Sequence, residues 1–243
     1  MDLERYNRNI LIEKIGVDGQ LKLLNSKVLI AGSGGLGSTV IATLASIGIG
    51  TLGLVDNDVL ELSNLNRQFI HKFENIGKDK VQSAKEWITS YNPDIEVNLH
   101  KTRLNKDNAK EIVQHYDLVI DCFDSYESKF LLNEVCVRNK KPLIHGGVTE
   151  FFGQVTIIIP DKSACLNCLF PNSQTAYVIK GVISPAVSTI ASIEAMEAVK
   201  YLLGFDGLLI NQLLTYNGLK QEYKKIKLAK NNTCPVCAGI LAE

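Results

Sequence analysis

Lys27-Val28-Leu29-Ile30-Ala31-Gly32-Ser33-Gly34-Gly35-Leu36-Gly37 is a short apolar strand pattern that runs straight into a glycine loop. Leu36–Ile47 continues as an apolar helix, and Gly48 and Gly50 stop it. Thr51–Val55 then reads as a second strand ending at Asp56. Strand, glycine loop, helix and strand with a terminal acid form a βαβ unit of about 30 residues, the opening of a Rossmann-like α/β fold. Glycines let the backbone approach a phosphate, and the helix N-terminus behind them offers free N–H groups. Gly32, Gly34, Gly35 and Gly37 are therefore candidate nucleotide-binding positions. A carboxylate at Asp56 can accept hydrogen bonds from ribose hydroxyls and would repel a 2′-phosphate, which disfavours NADP. The alternative is a tight turn with no ligand.

Outward from this unit the alternation continues. Lys78–Tyr91 has helical spacing through Val81, Ala84, Trp87 and Ile88, Ile95–Leu99 alternates as a strand, and Leu104–Gln114 reads as a helix with Asn105 as N-cap. Asp117–Asp121 is a buried strand, Ser125–Asn139 a helix, and Pro142–Val148 a strand ended by Gly146-Gly147. The style changes after Phe151. Gln154–Ile159 is a strand, Leu169–Gly181 reads as a mobile segment, and Ser184–Leu203 is a long helix with Ser184 as N-cap and Pro185 at the first helical position. Leu208–Tyr216 and Leu219–Leu228 form a hairpin about Asn217-Gly218. Asp2–Leu24 resembles two short helices. The fold class is α/β: a mostly parallel sheet extended by antiparallel strands.

Composition narrows the function. The 243 residues carry 26 Lys plus Arg and 26 Asp plus Glu. A zero balance exerts no long-range pull on nucleic acid or an anionic membrane. Any anionic ligand is held by local cations. The charged start Met-Asp-Leu-Glu-Arg lacks the apolar core of a secretion signal, and the glycine-broken run Val28–Leu60 is no membrane span, so a cytoplasmic protein is expected.

The local cations are found in the block Asp58-Val-Leu-Glu-Leu-Ser-Asn64-Leu-Asn66-Arg67-Gln68 and at Lys80. Hydride transfer needs no such block. Attack on the α-phosphate of a nucleotide triphosphate does need its charge neutralised. Arg67 can grip phosphate oxygens bidentately and Lys80 can supply a point charge. Asp58, Asn64 and Gln68 are nucleotide-contacting candidates within the same block. Asp124 follows the strand Asp117–Asp121, where it is either a Mg²⁺ ligand beside phosphates or the N-cap of the next helix.

Six cysteines divide into two C-x-x-C pairs, Cys165/Cys168 and Cys234/Cys237, and the separate Cys122 and Cys136. Two pairs of thiolates suit one tetrahedral, closed, structural Zn²⁺. Cys122 and Cys136 read as core residues. His145 faces the expected site as a satisfied structural histidine, and Trp87 as core.

Arg5-Tyr6-Asn7-Arg8-Asn9-Ile10, Gly32–Gly37, Asp56–Gln68, Gly77–Lys80 and Asp121–Asp124, in this order and with both cysteine pairs, resemble the ThiF/MoeB/HesA family, bacterial relatives of the ubiquitin-activating enzymes. The resemblance spans nearly the whole chain. It implies ATP-dependent adenylation of the C-terminal glycine of a small ubiquitin-like sulfur carrier ending in Gly-Gly. It also implies a homodimer in which Arg8 reaches the partner's ATP, with structural zinc at the cysteines. By the resemblance, Asp56 and Asn64 contact the nucleotide, Arg67 and Lys80 hold phosphates, and Asp124 holds magnesium. Arg67, Lys80, Asp124 and Arg8 are then the candidate catalytic residues of a single adenylation domain. Its parts are a helical arm (1–26), a nucleotide-binding half (27–150) and a zinc-containing half (151–243) whose Leu208–Leu228 region docks the carrier.

One departure stands out. Many members carry a cysteine before a Gly-Val pair, here Gly181-Val182, and the matching position is Tyr177. A phenol is mostly protonated at neutral pH and a weak nucleophile. The carrier is therefore expected to stay non-covalent, leaving as its acyl-adenylate or meeting an external sulfur donor. The rival functions are an NAD-linked oxidoreductase and a non-catalytic nucleotide- and zinc-binding scaffold.

Overall fold

Strand β1 (Lys27–Ala31) is buried from Val28 onward because it lies mid-sheet, with β2 (Thr51–Val55) parallel on one side and β4 (Leu118–Asp121) parallel on the other. The structure is a computed structural model and describes residues 3–171 and 181–238. Its eight-stranded sheet has the order β3-β2-β1-β4-β5-β6-β7-β8. β3 (Glu96–His100) and β5 (Leu143–Thr149) complete the parallel part. β6 (Phe152–Ile158), β7 (Gln212–Asn217) and β8 (Glu222–Lys227) extend it antiparallel. The expected α/β class is thus borne out. The chain leaves β1 in one direction to build β2 and β3 and returns to build β4 on the other side. The switch point between β1 and β4 is where such sheets bind ligands, at the carboxyl ends of the strands.

Helices cover both faces, as a sheet buried on both sides requires. α1 (Asn7–Ile10) and α2 (Gly16–Leu24) precede β1. α3 (Gly35–Ile47), α4 (Lys80–Tyr91) and the 20-residue α8 (Ser184–Leu203) pack one face through Val40, Leu44, Ile88 and Ile190. α5 (Ala109–Val113), α6 (Tyr126–Arg138) and the short α7 (Leu166–Leu169) lie on the other face, where Leu132 and Val137 join Cys165, Cys234 and Cys237 in one apolar cluster. The arm is anchored by Tyr6, which is buried and accepts a hydrogen bond from Asn92 (2.9 Å).

Several expected boundaries are corrected. Gly146 and Gly147 do not end β5; the strand runs on to Thr149 and turns tightly at Glu150-Phe151 into β6. The glycines are there for space. A Cβ on Gly146 would collide with the Glu194 carboxyl of α8. Asn105 does not cap α5: its Oδ1 accepts from the Asp107 and Asn108 N–H groups in a preceding turn, and Asn108 is the N-cap. Ile183, not Ser184, is the N-cap of α8, and Pro185 still occupies the first turn. α4 begins at Lys80, two residues later than its periodicity suggests, after Asp79. Asn217 and Glu222 are paired, so the β7–β8 connection is four residues rather than the two of an Asn-Gly turn. Most of Leu169–Gly181, including Tyr177, lies outside the described residues. Among the described residues no helix is long and apolar enough to cross a membrane.

Glu194 is completely buried and, among the described residues, neither carboxyl oxygen has a hydrogen-bond partner. Burial raises its pKa well above the ordinary 4.5, with the Lys129 ammonium only partly opposing this. The folded chain therefore keeps a proton that the unfolded chain releases. Through this group stability is fully present below the unfolded pKa and declines as pH rises toward the folded one, by at most about 1.4 kcal/mol per pH unit. Glu194→Gln does not titrate. Its stability relative to the parent chain, from urea denaturation between about pH 5 and pH 8, should rise with pH. A pH-independent difference would contradict the burial of an uncharged carboxyl.

Candidate active site and metal centre

The glycine loop is shaped by contact with the neighbouring strand end. Gly32 has φ +104°, and a Cβ there would stand 2.8 Å from the Cys122 carbonyl oxygen. A Cβ on Gly37 would collide with the Gly32 carbonyl. The loop therefore presses onto the β4 end, and α3 starts at Gly35 with its first N–H groups turned to the switch point. His71, which the sequence did not single out, braces the loop from behind. Its Nε2–H donates to the Ser33 carbonyl (3.0 Å), and its Nδ1 accepts from the Ser83 hydroxyl (2.9 Å). Burial lowers the His71 pKa and keeps the ring neutral.

Asp56 ends β2 and ties the loop to the polar block. Its Oδ2 accepts from the Ser33 N–H (2.7 Å) and its Oδ1 from the Asp58 N–H (2.9 Å). Burial raises its pKa, although Lys80 and these two N–H groups work against the rise. Each carboxylate oxygen has a second lone pair for a ligand. Lys80, at the start of α4, is buried to 8% side-chain exposure and pairs with Asp58 at 2.7 Å. Arg67 lies across the loop, its chain against Gly35, and its Nη1 donates to the Ser63 carbonyl (3.1 Å) and to Asn66 Oδ1 (2.9 Å). Asn64 Oδ1 accepts from the Glu61 N–H (3.0 Å) in a capping box that shapes the block. Gln68 is buried beside Gly34, and its Oε1 has no hydrogen-bond partner among the described residues.

Asp124 is exposed at the carboxyl end of β4 and does not cap α6. That place belongs to Ser125, whose hydroxyl accepts from the Ser128 N–H (3.2 Å). All four glycine positions but Gly37, together with Asp56, Asp58, Asn64, Arg67, Gln68, Lys80 and Asp124, line one cleft of about 1160 Å³. Gly37 sits beneath the loop. Arg8 is not brought to this cleft; it is exposed on the arm. The cleft continues past His145 over β5, β6 and β7 to Gln154, Thr215 and Asn217.

Between these halves is a buried polar cluster that is not legible in the local sequence. Lys129, one turn into α6, donates to Asp121 Oδ2 (3.2 Å) and to the Gly146 carbonyl (2.7 Å). His145 Nδ1–H donates to the same Asp121 oxygen (2.7 Å). Burial alone would raise Asp121, but Lys129 and His145 outweigh it and hold the carboxyl below its ordinary range. Burial lowers His145 and keeps it neutral. Its reading as a satisfied histidine fits, and it also forms cleft wall. Cys122 and Cys136 are buried, and burial pushes both thiols up. They are core residues and poor nucleophiles.

The four remaining cysteines converge. Their Sγ atoms all lie within 4.8 Å of one another, with Cys165–Cys168 at 4.0 Å, Cys165–Cys234 at 3.6 Å and Cys168–Cys237 at 3.4 Å. Tetrahedral zinc with bonds of about 2.3 Å sets its sulfurs about 3.8 Å apart. The cluster is of the right size for such an ion, and it has no open position.

A glycine loop at the switch point, with an acid on β2 and two cations over the loop, defines a nucleotide-binding α/β protein. The chain matches the ThiF family over residues 6–236 and belongs to that family. It is 38% identical over 243 residues to the adenylyltransferase and sulfurtransferase MOCS3 of Culex quinquefasciatus, covering 98% of this chain and 56% of that one. It thus spans little more than half of that relative's length. It is 38% identical over 240 residues to the SAMP-activating enzyme E1 of Haloferax volcanii, covering 97% of this chain and 88% of that one. Among solved structures, Escherichia coli MccB with ATP is similar with a TM-score of 0.85 at 25% identity, over 97% of this chain and 75% of that one.

The cysteine geometry makes a direct prediction. Zinc analysis of the purified chain should give about one ion per molecule. Cys234→Ser should lower metal content and stability together, by about 4 kcal/mol or more, since the ion ties the tail to residues 165–168. Metal-free protein with unchanged melting would refute this.

Proposed function

We propose that the chain is an ATP-dependent adenylyltransferase acting on the C-terminal carboxylate of a ubiquitin-like carrier protein that ends in Gly-Gly, in sulfur transfer for a cofactor such as thiamin or molybdopterin or a related pathway. The observation that carries this reading is the placement of Lys80 and Arg67 beside the glycine loop, in one cleft with Asp56 and Asp124. The names of the MOCS3 and SAMP-activating relatives support the same class. A hydride-transfer site has no use for two cations at the phosphate loop, which disfavours the oxidoreductase. A scaffold would not need the cleft to run on beyond the nucleotide.

In this reading the loop N–H groups and Gln68 hold phosphates, Asp56 holds the ribose, and Asn64 and Asp58 complete the nucleotide site. Gln68 Oε1, buried without a partner, is a group that a bound nucleotide's N–H or hydroxyl would satisfy. Asp124 would hold Mg²⁺, which supplies charge neutralisation between phosphates. A carrier carboxylate oxygen attacks the α-phosphorus, the bond to the bridging β-phosphate oxygen breaks, and pyrophosphate leaves with the electron pair. The carboxylate is ionised at neutral pH, so no general base is required. Lys80 and Arg67 lower the repulsion between two anions and stabilise charge moving to the leaving group. Zinc at Cys165, Cys168, Cys234 and Cys237 would be structural.

The exposed position of Arg8, away from its own cleft, supports a homodimer in which it completes the partner's site. Large apolar side chains of the arm and block are exposed, among them Leu11 (67%) and Leu62 (65%), and suit burial against a second copy. The residues around Tyr177 are bounded by Gly181-Val182, which bridge to Glu150 at the cleft rim. With no thiol at Tyr177, the carrier leaves as its acyl-adenylate or reacts with an external sulfur donor.

With a Gly-Gly-ended carrier, the chain should exchange labelled pyrophosphate into ATP. Lys80→Ala and Arg67→Ala should each keep the fold and lose at least about a hundredfold of the exchange, the scale of removing one preorganised charge contact. Full exchange in both variants would sink the assignment. Mixing Arg8→Ala with Lys80→Ala chains, with subunit exchange verified, should restore part of the activity, because one site of each heterodimer then carries neither lesion. No recovery would place Arg8 outside the partner's site.

A further inference from the structure

The half of the cleft beyond the nucleotide is built on the β5–β6 hairpin, and one fixed polar chain crosses it. It begins at Asp121, whose Oδ2 takes the Nδ1–H of His145 at 2.7 Å. Because the ring is neutral and its one proton is committed to Asp121, its Nε2 is an acceptor. Gln154 Nε2 stands 3.4 Å from that atom. An acceptor on the ring selects the amide's NH2 end. The Gln154 side chain is thereby oriented, with its carbonyl oxygen Oε1 left to the cleft. Gln154 faces Gly147 across the hairpin, and its side chain lies over β5 within van der Waals reach, 3.4 Å, of where a Cβ on Gly147 would stand. Lys129 holds Asp121 and the Gly146 carbonyl together, so the anchor itself is fixed.

A tail of two glycines has no side chain to be read. A site can recognise it only through space and through its backbone N–H and C=O groups. The cleft offers the space along Gly147 and Gly153, and the oriented Oε1 offers an acceptor for an N–H.

We infer that Gln154, oriented through His145 by Asp121, is a specificity-determining residue that accepts a hydrogen bond from a main-chain N–H of the carrier's terminal diglycine. This rests on the adenylation reading of the same cleft and adds to it how the tail is selected. Gln154 acts on the carrier and not on the nucleotide, while His145 and Asp121 are positioning residues.

The test uses a ubiquitin-fold carrier ending in Gly-Gly, prepared by ligation with either an amide or an ester at each of its last two peptide bonds. The readout is carrier-dependent pyrophosphate exchange. For the parent enzyme one of the two esters should lower kcat/KM for the carrier about tenfold, the effect of one lost hydrogen bond. Gln154→Met, similar in length and without an acceptor, should lose that amide-over-ester preference while its KM for ATP is unchanged. Gln154→Glu keeps an acceptor and should retain the preference even where its rate is lower. A preference undiminished in Gln154→Met, one abolished in Gln154→Glu, or no ester effect in the parent enzyme would overturn the inference while exchange with the amide carrier leaves the adenylation reading standing. No exchange with the amide carrier in the parent enzyme would overturn both.

Discussion

The two oxygens of Asp56 hold the site together. One accepts the Ser33 N–H of the glycine loop and the other the Asp58 N–H at the head of the polar block. Asp58 in turn holds Lys80 through its carboxylate and the Lys80 N–H through its carbonyl. A single carboxylate at the end of β2 thus fixes the spacing between the glycine loop and the Lys80 cation, which in the proposed function receive and neutralise phosphates. The loop is held from the other side by the β4 end, where the Cys122 carbonyl leaves no room for a side chain at Gly32. These constraints hold the loop and its cation in fixed positions at the switch point, and preorganised charge of this kind is what the proposed phosphoryl chemistry would draw on.

The second half of the cleft follows from the antiparallel extension of the sheet. β5 is the last parallel strand, and its turn into β6 carries the floor of the cleft away from the nucleotide. The joint is costly to build. Asp121, Lys129 and His145 are buried under it, and Glu194 is buried across the sheet without a partner. Buried charges survive only when paired and hydrogen-bonded, and Asp121 with Lys129 and His145 meets that condition. Glu194 meets burial by keeping its proton. Gly146 makes room on one face of β5 for Glu194, and Gln154 lies beside Gly147 on the other.

Much of this was legible in the sequence where physics is local. The βαβ opening, the alternation of strands and helices, the two cysteine pairs and the block from Asp58 to Gln68 all carry their meaning in short spacing. The cleft accordingly gathers the nucleotide-site residues that the sequence nominated, apart from Gly37 under the loop and Arg8 on the arm, while the four metal cysteines form their own cluster. The misses are tertiary. Gly146-Gly147 look like a strand end because glycine is a poor strand former, and only the arrival of α8 explains Gly146. Asp124 and Ser125 are adjacent candidates for one cap, and it is the Ser125 hydroxyl that accepts from the Ser128 N–H. Lys129 looks like any helix lysine until Asp121 and Gly146 close over it, and His71 and Gln154 acquire their roles only from partners 38 and 9 residues away.

The account stands on one bond: the one between a carrier's terminal carboxylate and the α-phosphorus of ATP. It is measured by intact mass spectrometry of a Gly-Gly-ended carrier after incubation with the chain, ATP and Mg²⁺, without a sulfur donor. The account predicts a carrier species heavier by AMP less one water, formed with pyrophosphate and absent when NAD replaces ATP. An unchanged carrier, with ATP consumed to ADP and phosphate, would contradict it.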